Sequence, residues 1–148
     1  MYSFFQKKQS QDAEADFAVP EGFLKAEQFE EQLLIERARA DRAGAKFSML
    51  ALRIGSAKVS PEYQAAERVL AHVLTKVSRV IDTKGVYRDG LALIMPYTPS
   101  DKANVVWTKI QESYKRRISA ELGSGQTAPE IQCEVYAYPS SDTSPPTL

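Results

Sequence analysis

Several residue types are scarce in this 148-residue chain, and their scarcity excludes whole classes of protein. The single cysteine, Cys133, cannot form an internal disulfide. The single histidine, His72, has no second histidine and no neighbouring cysteine with which to build a zinc site or a nucleophilic triad. No apolar run is long enough for a signal peptide or a membrane span. We therefore expect a cytoplasmic protein of bacterial type with no metal, no cofactor and no integral membrane segment.

The chain also lacks an excess of charge of either sign, since 19 basic residues balance 19 acidic ones. No overall field attracts a polyanion, so we expect no nucleic-acid partner. A hydrophobic fraction of 43% over this length is typical of one globular domain. Composition changes at both ends, which are polar and lack periodicity. We expect a flexible tail at 1–20, a folded domain at 21–139 and a second flexible tail at 140–148.

Three segments have the periodicity of amphipathic helices. The first covers 21–43, with Phe29 and Leu33 on its apolar stripe and Gly44 in position to end it. The second begins at Ser60 and Pro61, and the third follows Pro99. The predicted buried stripe of the second helix is Ala66, Val69, Leu70, Val73, Leu74, Val77, Val80 and Ile81. That of the third is Ala103, Val106, Trp107, Ile110 and Tyr114.

Four segments are predicted strands. Residues 46–54 are apolar at nearly every position, which is typical of a central strand covered on both sides. Residues 86–88 and 91–95 are β-prone runs separated by Asp89-Gly90, which favours a hairpin with a two-residue type I′ turn. Residues 130–138 alternate as a half-buried strand does, with Cys133 on the inward side.

The order of elements is a helix followed by β, α, β, β, α and β. Without the leading helix, this order is the split βαββαβ pattern of a ferredoxin-like domain. The predicted fold class is therefore α+β, with an antiparallel sheet whose βαββαβ unit has one helix-covered face, and with an extra N-terminal helix.

Specific stretches of the chain resemble GGDEF domains, the diguanylate cyclases that join two GTP molecules into cyclic di-GMP. The segment FEEQLLIERARADRAGAKFSMLALRIG is similar to the leading helix, glycine and first strand of that family. Arg88, the apolar run LALIMP and the helix segment SDKANVVWTKI are similar to what surrounds the family's signature loop. The resemblance implies a nucleotide-cyclase fold and a role in bacterial signalling.

The chain departs from the family where the chemistry lies. The family places a metal-binding acid at the end of the first strand, where this chain has Arg53 and then Gly55. Its signature turn is shortened here to Asp89-Gly90. From these losses we expect no catalytic residues, no enzymatic activity and a regulatory or protein-interaction module with a protein partner. The alternative is a nucleotide-binding or palm-type enzyme with other metal ligands, such as Asp89 with Glu62.

One further motif, RVID, is similar to the RxxD inhibitory site of the family. The resemblance implies that Arg79, Asp82 and Arg88 bind cyclic di-GMP, since a guanidinium can fork onto phosphate and a carboxylate accepts from guanine N–H groups. The simpler alternative is that Arg79 and Asp82 only close the end of a helix. A homodimer is also compatible with the sequence, because the leading helix and the sheet edge offer surfaces.

Overall fold

The computed structural model describes residues 19–140, which form a four-stranded sheet with helices on both faces. The elements are α1 (Ala26–Ala43), β1 (Phe47–Ile54), α2 (Pro61–Val77), β2 (Thr83–Tyr87), β3 (Gly90–Pro96), α3 (Ser100–Glu121) and β4 (Ile131–Tyr138). The tails predicted at 1–20 and 140–148 fall almost wholly outside the described residues. Within 19–140, no helix has the length and apolarity that crossing a membrane requires.

The sheet has the strand order β2-β3-β1-β4, and every neighbouring pair is antiparallel. β1 lies in the interior, with Leu50 opposite Leu93 of β3 on one side and Val135 of β4 on the other. This topology confirms the predicted α+β class and the central position of the first strand.

Two apolar clusters fill the space on the two faces of the sheet. The larger lies under α2 and α3 and contains Leu50, Leu70 and Ile110, each fully buried. The smaller lies under α1 and includes Phe29 and Met49. The two helices of the βαββαβ unit thus cover one face, as predicted, and the extra N-terminal helix α1 covers part of the other. The apolar residues on both sides of β1 are what this double coverage requires.

α1 begins at Ala26, five residues later than predicted. The chain before it is drawn into the sheet, since the Leu24 N–H donates to the Lys84 carbonyl and the Val86 N–H donates to the Leu24 carbonyl, both at 2.9 Å. A helix cannot form over residues whose backbone groups pair with a strand. The predicted end is confirmed, because Gly44 adopts a left-handed φ of 64°.

α2 ends at Val77, before two residues that were predicted to be part of its buried stripe. Val80 is 102% exposed and Ile81 is 51% exposed, so their assignment to the core is wrong. The helix stops because Ser78 turns to an extended conformation while its N–H still donates to the Leu74 carbonyl. The periodicity continues in the sequence, but the chain has already left the helix.

The hairpin turn lies one residue earlier than predicted. Tyr87 pairs with Gly90, so the two-residue loop is Arg88 and Asp89, and Arg88 takes the positive φ of 54°. Gly90 is required for a different reason, since a Cβ at this position would overlap the Leu52 carbonyl oxygen of β1. Close approach of two strands, rather than turn geometry, explains this glycine.

Candidate functional site

A cleft of about 680 Å³ lies between α2 and the turn of the β2–β3 hairpin. α2 contributes Tyr63, Glu67 and Arg68 to its wall, and the hairpin turn contributes Arg88 and Asp89. The remaining lining residues include Val19, Pro20, Lys58, Ala71, Val86 and Leu91. The cleft therefore combines apolar surface with charges of both signs, and its volume is in the range that holds a small ligand.

The start of α2 fixes the polar residues of this wall. The Ser60 hydroxyl accepts from the Tyr63 N–H at 3.0 Å and caps the helix, and Pro61 follows at the first helical position. Tyr63, Glu67 and Ala71 are spaced four residues apart, so they lie one above another on the same edge of the helix. This edge is where the buried face of α2 meets the opening of the cleft.

The Glu67 carboxyl is the most perturbed acid of the cleft. It is half-buried, and burial raises the pKa of Glu67, while the charge of Lys58 acts in the opposite direction. Burial also raises the pKa of Tyr63, and the charges of Glu67 and Asp89 raise it further. These effects place the two carboxylates near one phenol. The charged form of Glu67 is thus held in a place where it has lost part of its hydration.

Cations flank these acids. The Lys58 ammonium lies 3.8 Å from the Asp89 carboxylate, and both side chains are largely exposed. Arg88 is exposed at the turn, with its guanidinium carbon 5.0 Å from the centroid of the Tyr87 ring. The cleft therefore has a cationic rim outside its half-buried acid.

Arg79 and Asp82 form a tight local pair at the start of β2. The Arg79 backbone N–H donates to the Asp82 carboxylate at 2.7 Å, and the Arg79 Nη2 donates to the same carboxylate at 2.8 Å. Nη2 also donates to the Pro96 carbonyl and to the Thr98 hydroxyl, each at 2.9 Å. The Asp82 side chain is only 2% exposed, whereas that of Arg79 is 49% exposed. The pair ties the end of α2 to the connection between β3 and α3.

The structure does not bring the three residues of the expected cyclic di-GMP site together. The five residues of β2 separate Asp82 from Arg88, and these six residue steps span about 20 Å at the rise of a β-strand. Arg79 and Asp82 therefore lie at one end of β2, while Arg88 lies in the cleft at the other end. Binding of cyclic di-GMP by these residues stays a prediction.

Residues 19–140 contain no group of three or more His, Cys, Asp or Glu side chains placed to hold a metal ion. Asp89 lies near Lys58, and Glu62 lies in the first turn of α2, and metal binding by these two acids stays a prediction. Arg53 donates to the Gln132 side chain at 3.1 Å at the end of β1.

Sequence reasoning missed Lys58, Tyr63 and Glu67 as members of a site. The spacing of Tyr63 and Glu67 indicates a shared helix edge, but the sequence cannot show that the hairpin turn faces this edge. Cys133 was predicted to be a small core residue, and it packs against the cluster under α2 and α3. Burial raises the pKa of its thiol to about 12.

The sheet order, the two helices on one face and the cleft at the hairpin turn define a nucleotide-cyclase-like fold. Solved structures with the same fold support this class. A DGC protein from Thermotoga maritima matches with a TM-score of 0.64 and 19% identity over 79% of this chain and 82% of its own. The active GGEEF domain of a diguanylate cyclase from Vibrio cholerae matches with a TM-score of 0.66 and 13% identity over 81% and 80%.

A third neighbour is the GGDEF domain of DgcB from Caulobacter crescentus, solved in complex with c-di-GMP. It matches with a TM-score of 0.63 and 16% identity over 78% of this chain and 72% of its own. No family model and no curated protein matches the sequence. The chain thus has a GGDEF-like nucleotide-cyclase fold, as the resemblance implied.

The prediction that the protein is not an enzyme is contradicted by these neighbours. One is a diguanylate cyclase whose domain is described as active, so the fold points to a family of enzymes. The prediction relied on the replacement of family acids at Arg53 and on the short hairpin turn. Missing family residues do not by themselves establish a loss of activity, because a fold can host chemistry with other side chains.

Proposed function

We propose that this protein binds a guanine nucleotide in the cleft between α2 and the hairpin turn, as a GGDEF-like domain of cyclic di-GMP signalling. The half-buried Glu67 carboxyl, whose pKa is raised by burial, is the observation that carries the proposal. A perturbed acid that lines a cleft is a candidate for a functional residue. The neighbours support the ligand class, since one is an active diguanylate cyclase and another holds c-di-GMP.

The chemistry of guanine fits the wall of the cleft. Its ring N–H and exocyclic amino group are two adjacent donors, and an ionised carboxylate accepts two hydrogen bonds side by side. Glu67 provides that carboxylate, and Ala71, Val86 and Leu91 provide apolar surface for the base. Adenine lacks this pair of donors, so it leaves the Glu67 charge without compensation.

The cations at the rim are suited to the phosphates. Lys58 and Arg88 both line the cleft and are exposed to solvent. Arg88 offers a planar fork and Lys58 a compact charge, and both bind phosphate oxygens through charge-assisted hydrogen bonds. The nucleotide is therefore expected to lie with its base toward α2 and its phosphates toward solvent.

Calorimetric titration of the purified protein with GTP, cyclic di-GMP and ATP, each with magnesium, tests the proposal. We expect saturable binding of a guanine nucleotide and at least about tenfold weaker binding of ATP, the effect of one unmet charged hydrogen bond. Binding of no nucleotide, or equal affinity for GTP and ATP, would contradict it. Chromatography of the GTP mixture for newly formed cyclic di-GMP then shows whether the ligand is a substrate.

A second candidate is cyclic di-GMP binding at Arg79, favoured by the rigidity of its half-exposed guanidinium. Asp82, Pro96 and Thr98 hold this group in place, so it offers a fixed donor for phosphate or guanine. Asp82 acts here by positioning Arg79, because its own oxygens are buried and already accept hydrogen bonds.

The variants R79K and R79A separate the two sites, since both are expected to weaken cyclic di-GMP binding at Arg79 and to leave GTP binding in the cleft intact. Unchanged cyclic di-GMP affinity in both variants would sink this candidate.

The regulatory and protein-interaction role expected from the sequence stays a prediction. Affinity capture with the wild-type protein, repeated with and without cyclic di-GMP, is the direct measurement of a nucleotide-dependent protein partner.

A further inference from the structure

The outward face of α1 carries an apolar patch at its midpoint. The helix runs from Ala26 to Ala43, so its centre falls between Leu34 and Ile35. Leu34 is 57% exposed and Ile35 is 46% exposed, while Phe29 and Leu33 on the opposite side are buried against the sheet. Together with the exposed Ala38, Leu34 and Ile35 form what we call the α1 patch.

Charge is distributed symmetrically around this patch. Glu27 lies as many residues before the midpoint as Arg42 lies after it, and both are exposed. Glu30 and Arg39 are related in the same way. The first half of the outward face is thus acidic and the second half contains the basic members of the pairs.

Four other charged groups of α1 are used within the chain. Arg37 lies 5.0 Å from the centroid of the Tyr138 ring, the Tyr138 hydroxyl donates to Asp41, and Arg39 pairs with Glu36 at 3.3 Å. Within residues 19–140, Glu27 and Arg42 make no comparable hydrogen bond or ion pair. Arg42 is thus the basic residue of α1 left available for a partner, while Glu30 and Glu31 in the acidic half also lack such a contact within those residues.

We propose that α1 is a self-association surface through which two copies of this chain pair antiparallel about a two-fold axis at Leu34 and Ile35. In that arrangement the two α1 patches pack together, Glu27 of each copy faces Arg42 of the other, and each pair occurs twice by symmetry. A parallel pair would instead place Glu27 against Glu27 and Arg42 against Arg42. The charge pattern therefore selects both the partner and the direction.

The expected dimer is weak. α1 is about 27 Å long at the rise of an α-helix, and one helix pair of this length buries less surface than a standard stable interface. The exposed ion pairs supply direction more than affinity, and salt screens them. Association is therefore expected to grow with protein concentration and to fall as salt is added.

Sedimentation equilibrium of the full chain at low salt tests the proposal. We expect a concentration-dependent dimer, and we expect E27R or R42E to raise its Kd at least about tenfold through like-charge contacts. The double variant, E27R with R42E, restores the antiparallel pairs and is expected to dimerise again. An equimolar mixture of the two single variants should form a mixed dimer for the same reason. A wild type that stays monomeric, or a double variant no better than the single ones, overturns the proposal.

A matched pair of variants tests the patch itself. L34D is expected to abolish the dimer, whereas V105D, at an α3 position that is 53% exposed, should leave it unchanged. Equal effects of the two changes would contradict the assignment. In the variant L34C, a thiol reagent reports whether the patch is covered. If the cysteine is protected to the same degree at every protein concentration, another part of the same chain covers the patch, and the proposal is overturned.

Discussion

At the scale of single residues, Glu67 is the residue at which the proposed binding role and the stability of the unliganded protein oppose each other most clearly. A half-buried carboxylate costs free energy in the unliganded protein, because burial penalises its charged form. Its raised pKa means that the folded state holds the proton more tightly than the unfolded chain does. The folded state therefore loses relative stability as the pH rises above the ordinary range of a glutamate.

Replacement of Glu67 by glutamine separates the two effects. E67Q is expected to raise the Tm at neutral pH, since it removes the penalised charge, and to weaken guanine-nucleotide binding by about tenfold or more, because one charged acceptor is lost. Thermal unfolding and calorimetric titration measure the two changes. E112Q, at an exposed position of α3, is the matched control and should change neither. A destabilised E67Q would contradict the penalty of the buried charge, and an unchanged affinity would argue against the cleft as the nucleotide site.

Tyr114 provides a pH dependence that is independent of the ligand. Burial raises its pKa from 10.0 to about 12, and its hydroxyl donates to the Pro129 carbonyl at 2.7 Å. This contribution to stability is fully present below pH 10 and is lost as the pH rises toward 12. Burial raises the pKa of the Cys133 thiol from 9.0 to about 12, so this group also lowers stability as the pH rises from 9 to 12. The C133A variant removes this second titration and is the suitable background for the measurement.

In that background, Y114F is expected to cost about 1 kcal/mol at neutral pH through the lost hydrogen bond. It should also reduce the alkaline fall in the free energy of unfolding, because one titrating group is gone. Urea unfolding across the alkaline range measures both quantities. An alkaline slope that is identical with and without the Tyr114 hydroxyl would show that this group is not buried as described.

At the scale of elements, the β2–β3 hairpin holds one wall of the cleft in place. Its register depends on the close approach of Gly90 to the Leu52 carbonyl of β1. The turn residues Arg88 and Asp89 are aimed toward α2 only while β3 keeps this position. The geometry of the cleft is therefore a consequence of strand pairing and not of the turn sequence alone.

Substitution of Gly90 by alanine tests this dependence. G90A is expected to cost about 2 kcal/mol or more, since its Cβ overlaps a backbone atom that cannot move without disturbing the central strand. G123A is the matched control, because a Cβ there meets only the end of the flexible Gln126 side chain. Chemical unfolding gives both values. Similar free energies of unfolding for the two variants would mean that Gly90 is not needed for close approach.

At the scale of the whole molecule, periodicity predicted the fold well and the contacts poorly. The alternation in β4 and the apolar β1 predicted the sheet, because both patterns follow directly from burial. The end of α2 was missed, since Val80 and Ile81 continue the stripe while Ser78 ends the helix. The periodicity of apolar residues does not show at which residue the chain leaves the helix and turns away from the core.

The candidate site was predictable only in part. Arg88 could be chosen from the sequence because it lies next to a recognisable hairpin turn. Glu67 could not, since its importance comes from the apposition of α2 and a turn about twenty residues later in the chain. Arg79 and Asp82 resemble a ligand pair in the sequence; in the structure they bind each other, and ligand binding at Arg79 stays a prediction.

The most direct test of the account is to map where a guanine nucleotide binds. Amide chemical shifts of the isotope-labelled protein are recorded while GTP is added in the presence of magnesium. We predict that the largest changes fall at 63–68 on α2 and at 86–91 of the hairpin, and that Gly44, which precedes β1 at the sheet end opposite the hairpin turn, is unaffected. Changes confined to 79–82, or no saturable change at all, would contradict the assignment of the cleft as the nucleotide site.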